Sequence, residues 1–185
     1  KPLLLLSLAA MGLTSAQLSL TTYLVLYVSD YLLLSAVVAG SFLALSEVGG
    51  SMGRVAWGII SDRLFNGRRI PILVIIAILT AACGVIFAGF HPGVPVWLLV
   101  VVTLFFGFCV AGFNGIWMNA AAESVETQLA GIASGFSLSI GSWGVIVGPP
   151  VFGWIVDITG GYQWAWLFVT FQMAFVLALL LATGA

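Results

Sequence analysis

Two ionisable side chains stand inside long apolar stretches of this sequence, Glu47 and Arg54. A charge among hydrocarbon side chains is costly, so such a residue marks a candidate site. The two are seven positions apart, two helical turns along one face and about 10 Å along the axis. Gly58 continues that face. A carboxyl so placed can load and release a proton, and a guanidinium can hold an anion or neutralise the carboxylate. The competing readings are a structural ion pair, closed directly or through water, and an Arg54 that reaches toward the nearer membrane surface. Other chemistry is scarce. His91 is the one histidine and has no base or metal partner nearby in sequence. Cys83 and Cys109 lie in apolar runs at a spacing that suits neither zinc nor redox exchange, and read as small buried hydrophobes. No metal site, cofactor motif or catalytic nucleophile is expected, and an enzyme is the weakest of the readings.

The surrounding elements must be membrane helices. The chain is 62% hydrophobic and 6% charged, against about 25% charged residues in soluble domains, so it has no surface to present to water. Its net charge of -1 selects no nucleic-acid partner. A helix needs about 20 apolar residues to cross the bilayer. Six stretches satisfy this, at about 3–28, 33–60, 70–90, 96–120, 129–156 and 164–183, forming one bundle over residues 1–185. No secretory signal is expected, because the first run is too long and lacks a small-residue cleavage site. Lys1, Arg63, Arg68 and Arg69 fall on one side, Arg54 leans toward it, and the other side has no Lys or Arg. That asymmetry predicts both termini in the cytoplasm of a cell-membrane protein. Tyr27, Tyr31, Trp97, Trp154, Tyr162, Trp164 and Trp166 are expected as an anchoring belt at the outer interface.

Small residues recur at the spacing of close helix packing, at Gly49/Gly53, Gly131/Gly135 and Gly144/Gly148. There is also an internal echo. The second stretch ends Trp57-Gly58-Ile59-Ile60-Ser61-Asp62 and the fifth ends Phe152-Gly153-Trp154-Ile155-Val156-Asp157. Each puts Gly four residues before Asp at the exit of the middle helix of a triplet, on opposite sides of the membrane. The expected fold is therefore an all-α membrane protein, six transmembrane helices as a 3+3 inverted repeat.

The strongest local signal follows Gly58: Asp62-Arg63-Leu64-Phe65-Asn66-Gly67-Arg68-Arg69. Gly58 would let helices pack tightly at this end. Asp62 would face the positive N-terminus of a neighbouring helix, the fifth. Arg63, Arg68 and Arg69 would hold the loop at the anionic leaflet and pair with acids across that face. This run resembles the loop signature of the major facilitator superfamily, with two residues more than its common form. The longer form is similar to C-terminal halves of organophosphate antiporters. So are Ala121-Ala122-Glu123, Gly131-x-x-Ser134-Gly135-Phe136, and Gly153-Trp154-Ile155-Val156-Asp157 with Gly160 and Tyr162 beyond. Gly144-x-x-x-Gly148-Pro149 resembles the family's antiporter motif, departing from it at Phe152.

The resemblance implies one half of a major facilitator fold, a secondary transporter of a small solute by alternating access, as symporter or antiporter. The other six-helix half would come from a missing part of the same chain or from a second copy. In such folds the first and fourth helices of a half line the cavity. Here they offer Gln17, Tyr23, Asn114 and Trp117 as substrate-binding candidates, with Thr14, Thr21 and Asn119 beside them. The fifth adds Ser142, Trp143 and Ser139, and the sixth adds Gln172. An amide facing hydrocarbon needs a partner, either a solute or an interhelical hydrogen bond. Glu47 is the proton-coupling candidate, and Gly58, Asp62, Arg63, Gly67, Arg68 and Arg69 form the conformational motif. The family's phosphate-ester carriers place a basic residue on the first helix of this half. Leu3–Val28 has none, which weighs against phosphate esters and leaves carboxylates handled through Arg54, spaced from Gly58 as in monocarboxylate-type carriers. A solute sensor or assembly subunit that does not transport is the alternative.

Overall fold

The computed structural model describes residues 2–183. Lys1, one of the basic residues used above for orientation, and Gly184-Ala185 lie outside the described residues. Helix α1 (Pro2–Leu26) runs into a wide turn at Tyr27–Tyr31. It is followed by α2 (Ala36–Leu64), α3 (Arg69–Gly89), α4 (Val96–Val110) and α5 (Phe113–Glu123). Then come α6 (Ala130–Gly141), α7 (Trp143–Thr159) and α8 (Tyr162–Ala182), with no strand among the described residues. Six segments are long and apolar enough to cross a membrane, with α4–α5 forming the fourth and α6–α7 the fifth. Helices satisfy their own backbone groups, as lipid requires. The second segment runs on to Leu64, so Asp62 and Arg63 belong to its last turn rather than to a loop.

Packing follows the expected inverted repeat. Helix α2 lies along α4 and α1 along α7, the same pair seen from the two triplets, while α3 meets α8 across the centre. Glycine makes both close approaches possible. A side chain at Gly49 would strike the Leu104 carbonyl, one at Gly53 the Phe108 carbonyl, and one at Gly107 the Ser46 carbonyl. In the related pair, Gly144 lies against the Met11 carbonyl and Gly148 against Ser15. Two expectations fail here. Gly131 and Gly135 face open space, as does Gly58. None of the three is used for close approach within this bundle, since α6 turns the Gly131/Gly135 face outward and no neighbour reaches α2 at Gly58.

The aromatic belt also needs correction. Trp97, Trp154 and Trp164 are exposed as expected, but Tyr27 and Trp166 are fully buried. They form an interior cluster with Phe87, Phe106 and Phe152, in which Phe152 meets Trp166 edge-on at 4.8 Å. The Tyr27 hydroxyl donates to the Phe87 carbonyl at 2.6 Å, which removes the cost of burying it. Tyr31 and Tyr162 are half-buried at the edge of this cluster.

Two segments are broken at comparable depth. The fourth is interrupted at Ala111-Gly112 and the fifth at Ser142, about 22–26 Å from the ends bearing Val96 and Thr159 at 1.5 Å per residue. Neither break has a proline, whereas α7 passes through Pro149 and Pro150 without interruption.

Candidate functional site

The polar residues of the first, second and fourth segments meet in a row. Asn114, in the first turn of α5, donates through Nδ2 to Gln17 Oε1 at 3.1 Å and to the Ala111 carbonyl at 3.1 Å. One turn beyond Gln17, the Thr21 hydroxyl lies 3.1 Å from the Gln17 carbonyl and 3.4 Å from Glu47 Oε1. Arg54 Nε donates to the same Ala111 carbonyl at 3.3 Å. Glu47 and Arg54 therefore do not pair with each other. Both are exposed, and each is tied instead to a different neighbouring helix. The terminal nitrogens of Arg54, the Asn114 Oδ1 and the Gln17 Nε2 have no hydrogen-bond partner among the described residues. The row thus offers a cation, an acceptor and a donor side by side, with a carboxylate at its other end.

The helix break positions this row. At Gly112 a side chain would strike Phe108, Trp57 and Gly53, so only glycine lets α2 come this close. From α2, Trp57 Nε1 donates to the Phe108 carbonyl at 3.1 Å while Arg54 takes Ala111, so two side chains three residues apart occupy two carbonyls on the α4 side of the break. Carbonyls in an interrupted membrane helix need such partners or a solute.

The other candidates are placed differently. Trp117 is buried, against the expectation that it lines a cavity. Its Nε1 donates to Ser137 Oγ at 2.7 Å, and Ser7 Oγ lies 2.9 Å from that same oxygen, so the ring packs between segments under Gly141. Tyr23 stacks on Phe152 at 4.8 Å with its hydroxyl against Gly153. Thr14 is buried and bonded to the Ala10 carbonyl. Ser142 and Trp143 are exposed at the second break, with Ser142 bonded back to the Leu138 carbonyl at 2.8 Å. Gln172 has a buried Oε1 with no hydrogen-bond partner among the described residues. None of these six is bonded to the row.

At the end bearing the arginines, Arg69 is the hub. It bonds Asp62 at 2.6 Å, Glu123 at 3.1 Å and Ser61 Oγ at 3.0 Å, tying α2, α3 and the far end of α5 together. Asp62 is thus bound to a side chain of α3, and not to the start of the fifth segment as expected. Gly67 has a φ of +77° and follows Asn66 at +50°, so the turn depends on a glycine there. Arg63 and Arg68 are exposed and have no acidic partner among the described residues. The sequence reading missed Ser61, the Ala111 carbonyl and the Ser7–Ser137–Trp117 trio. Ser7 and Ser137 carried a signal, since hydroxyls at helix-interior positions in apolar runs must bond to something. No group of His, Cys, Asp and Glu among the described residues is arranged to hold a metal.

The bundle thus pairs two helix triplets, with a polar row at one break and a charged hub at one end. The chain belongs to the Major Facilitator Superfamily, whose family description matches residues 3–184. It is similar to the probable galactarate/D-glucarate transporter GudP of Bacillus subtilis (strain 168), with 29% identity over 161 residues, 82% of this chain and 34% of that protein. It is also similar to the membrane sensor protein UhpC of Escherichia coli (strain K12), with 31% identity over 159 residues, 80% of this chain and 33% of that protein. A probable hexose phosphate transport protein of Chlamydia pneumoniae shares 30% over 149 residues, 80% of this chain and 32% of its own length. The chain spans about a third of the length of these relatives. In fold it matches the crystal structure of the Escherichia coli fucose:proton symporter FucP with a TM-score of 0.83, over 100% of this chain and 43% of that one, at 16% identity.

Proposed function

We propose that this chain is the C-terminal six-helix half of a secondary transporter, moving a small hydroxylated carboxylate across the cell membrane by alternating access with proton coupling. Both termini lie in the cytoplasm in this reading, and the other six-helix half closes the cavity. The observation that carries it is the position of Arg54, whose charge is exposed, unpaired with any acid among the described residues, and beside the Gln17–Asn114 amide pair. A guanidinium suits a carboxylate through two parallel hydrogen bonds. The free Asn114 Oδ1 and Gln17 Nε2 suit a hydroxyl, which both donates and accepts. Glu47 then serves as the proton site. The name of the galactarate/D-glucarate relative accords with a hydroxylated dicarboxylate. Phosphate esters fit less well, because α1 carries no charge to assist Arg54.

The similarity to a membrane sensor protein favours a second reading, in which the same row binds a solute without moving it. A thermal-shift panel of carboxylates, sugar acids, organophosphates, sugars and amines on the complete protein tests the ligand class. Bound ligand stabilises by about 2.7 kcal/mol at a hundredfold excess over Kd. A shift with sugar acids that disappears in Arg54→Gln supports the proposal, and a shift confined to sugars or amines rejects it. Accumulation of the ligand in proteoliposomes separates transporter from sensor.

A further inference from the structure

Arg54 is already bonded before any substrate arrives, and its partner is backbone. Its Nε lies 3.3 Å from the Ala111 carbonyl, immediately before the glycine at which the fourth segment breaks. That carbonyl also receives Asn114 Nδ2 at 3.1 Å, and Asn114 is the second residue of α5. The junction of α4 and α5 is therefore held to α2 by Arg54, and the first turn of α5 to α1 through the Gln17–Asn114 bond. The far end of α5 is Glu123, held by Arg69. A carboxylate bound side-on, at the guanidinium edge that includes Nε, needs the N–H that the Ala111 carbonyl now accepts, so the two compete for one donor.

We propose that the Ala111 carbonyl is a positioning group for Arg54, its resting partner, and that the substrate carboxylate takes its place. Occupation of Arg54 by the anion then frees the α4–α5 junction from α2, leaving the first turn of α5 on Gln17 alone. The exchange links the ligand to a helix that ends at the Arg69–Asp62–Glu123 hub, about 15 Å away along the helix at 1.5 Å per residue. It also conserves hydrogen bonds. The carbonyl keeps Asn114 when Arg54 leaves, so no backbone group is orphaned in the membrane. Trp57 stays on the Phe108 carbonyl, which holds α2 against α4 while α5 loosens. The ligand arm of this inference rests on the anion reading above. The tether itself does not.

Backbone amide exchange on the complete protein in detergent tests both parts. Without added ligand, Arg54→Gln is expected to speed exchange across Phe113–Trp117 by about tenfold to a hundredfold, the size of one lost hydrogen bond to a charged group. Exchange in α3 should stay at the wild-type rate, and Arg54→Lys should restore most of the protection in α5. In the wild-type protein, saturating D-glucarate should speed the same α5 amides and leave α4 unchanged. Equal α5 exchange in wild type and Arg54→Gln, with α3 protected, overturns the tether. Slower α5 exchange on adding a carboxylate that the protein takes up overturns the partner exchange. If Arg54→Gln loses protection in α3 as well, it is misfolded, and the wild-type ligand arm decides alone. Failure to take up any carboxylate removes the proposed function while leaving the ligand-free comparison intact.

Discussion

Asn114 and Gln17 are 97 positions apart, yet Asn114 Nδ2 lies 3.1 Å from Gln17 Oε1, so one amide bonds the other across the fourth and first segments. Each keeps one polar atom free of partners among the described residues. Removing either amide should therefore cost little stability and much affinity. Interhelical hydrogen bonds in membranes average about 0.6 kcal/mol, so Asn114→Leu should lower stability by about that amount or up to 1–2 kcal/mol if Gln17 is left unpaired. The KM for a hydroxylated carboxylate should rise at least tenfold, with a smaller change for a carboxylate lacking hydroxyls. Uptake kinetics on the two ligands, with a melting curve in detergent, would check this. Equal losses on both ligands would remove the amides from hydroxyl recognition.

The close helix approaches make a sharper structural prediction. A methyl group at Gly49, Gly53, Gly144 or Gly148 meets backbone or a tightly packed side chain of the facing helix, so each Gly→Ala should destabilise by about 1–3 kcal/mol. Gly131→Ala and Gly135→Ala meet nothing in the bundle and should stay within about 0.5 kcal/mol of wild type. A set of thermal melts would separate the two groups, and a uniform response would contradict the packing described here.

Arg69 faces two acids, Asp62 and Glu123, whose side chains are 62% and 53% exposed. Exposed pairs are screened by water, so each is worth no more than about 1 kcal/mol. Arg69→Gln should be worse than Asp62→Asn or Glu123→Gln, because it leaves two carboxylates near one another without a cation. The difference should shrink in 1 M salt, where the Debye length falls to about 3 Å. Arg63→Gln and Arg68→Gln should leave the melting temperature unchanged. Melts of the five variants at low and high salt measure the order directly.

Much of this architecture is written locally in the sequence, and the rest is not, for physical reasons. Six apolar runs, the basic end and the Gly58–Arg69 motif can be read because bilayer thickness and charge cost act on each segment alone. The Gly49/Gly53 and Gly144/Gly148 pairs are legible for the same reason, but the identical spacing at Gly131/Gly135 is not diagnostic, since spacing does not say which face meets a neighbour. Tyr27 and Trp166 sit near segment ends, where belts form, yet their burial depends on Phe87 and Phe152 from other segments. Glu47 and Arg54 stand out as charges, but their separate partners, Thr21 and the Ala111 carbonyl, arise only from tertiary placement. The breaks at Ala111-Gly112 and Ser142 lack the proline that usually announces one.

If this row moves an anion together with a proton, Glu47 is where the two parts separate. Its carboxylate meets Thr21 rather than Arg54, so Glu47→Gln should leave Arg54 in place while removing the one titratable group of the row. The decisive measurement is D-glucarate uptake into proteoliposomes of the complete protein, with and without an inward proton gradient. Wild type is expected to accumulate the anion under the gradient, and Glu47→Gln to exchange internal for external anion without accumulating it. Gradient-driven accumulation undiminished in Glu47→Gln would contradict that coupling.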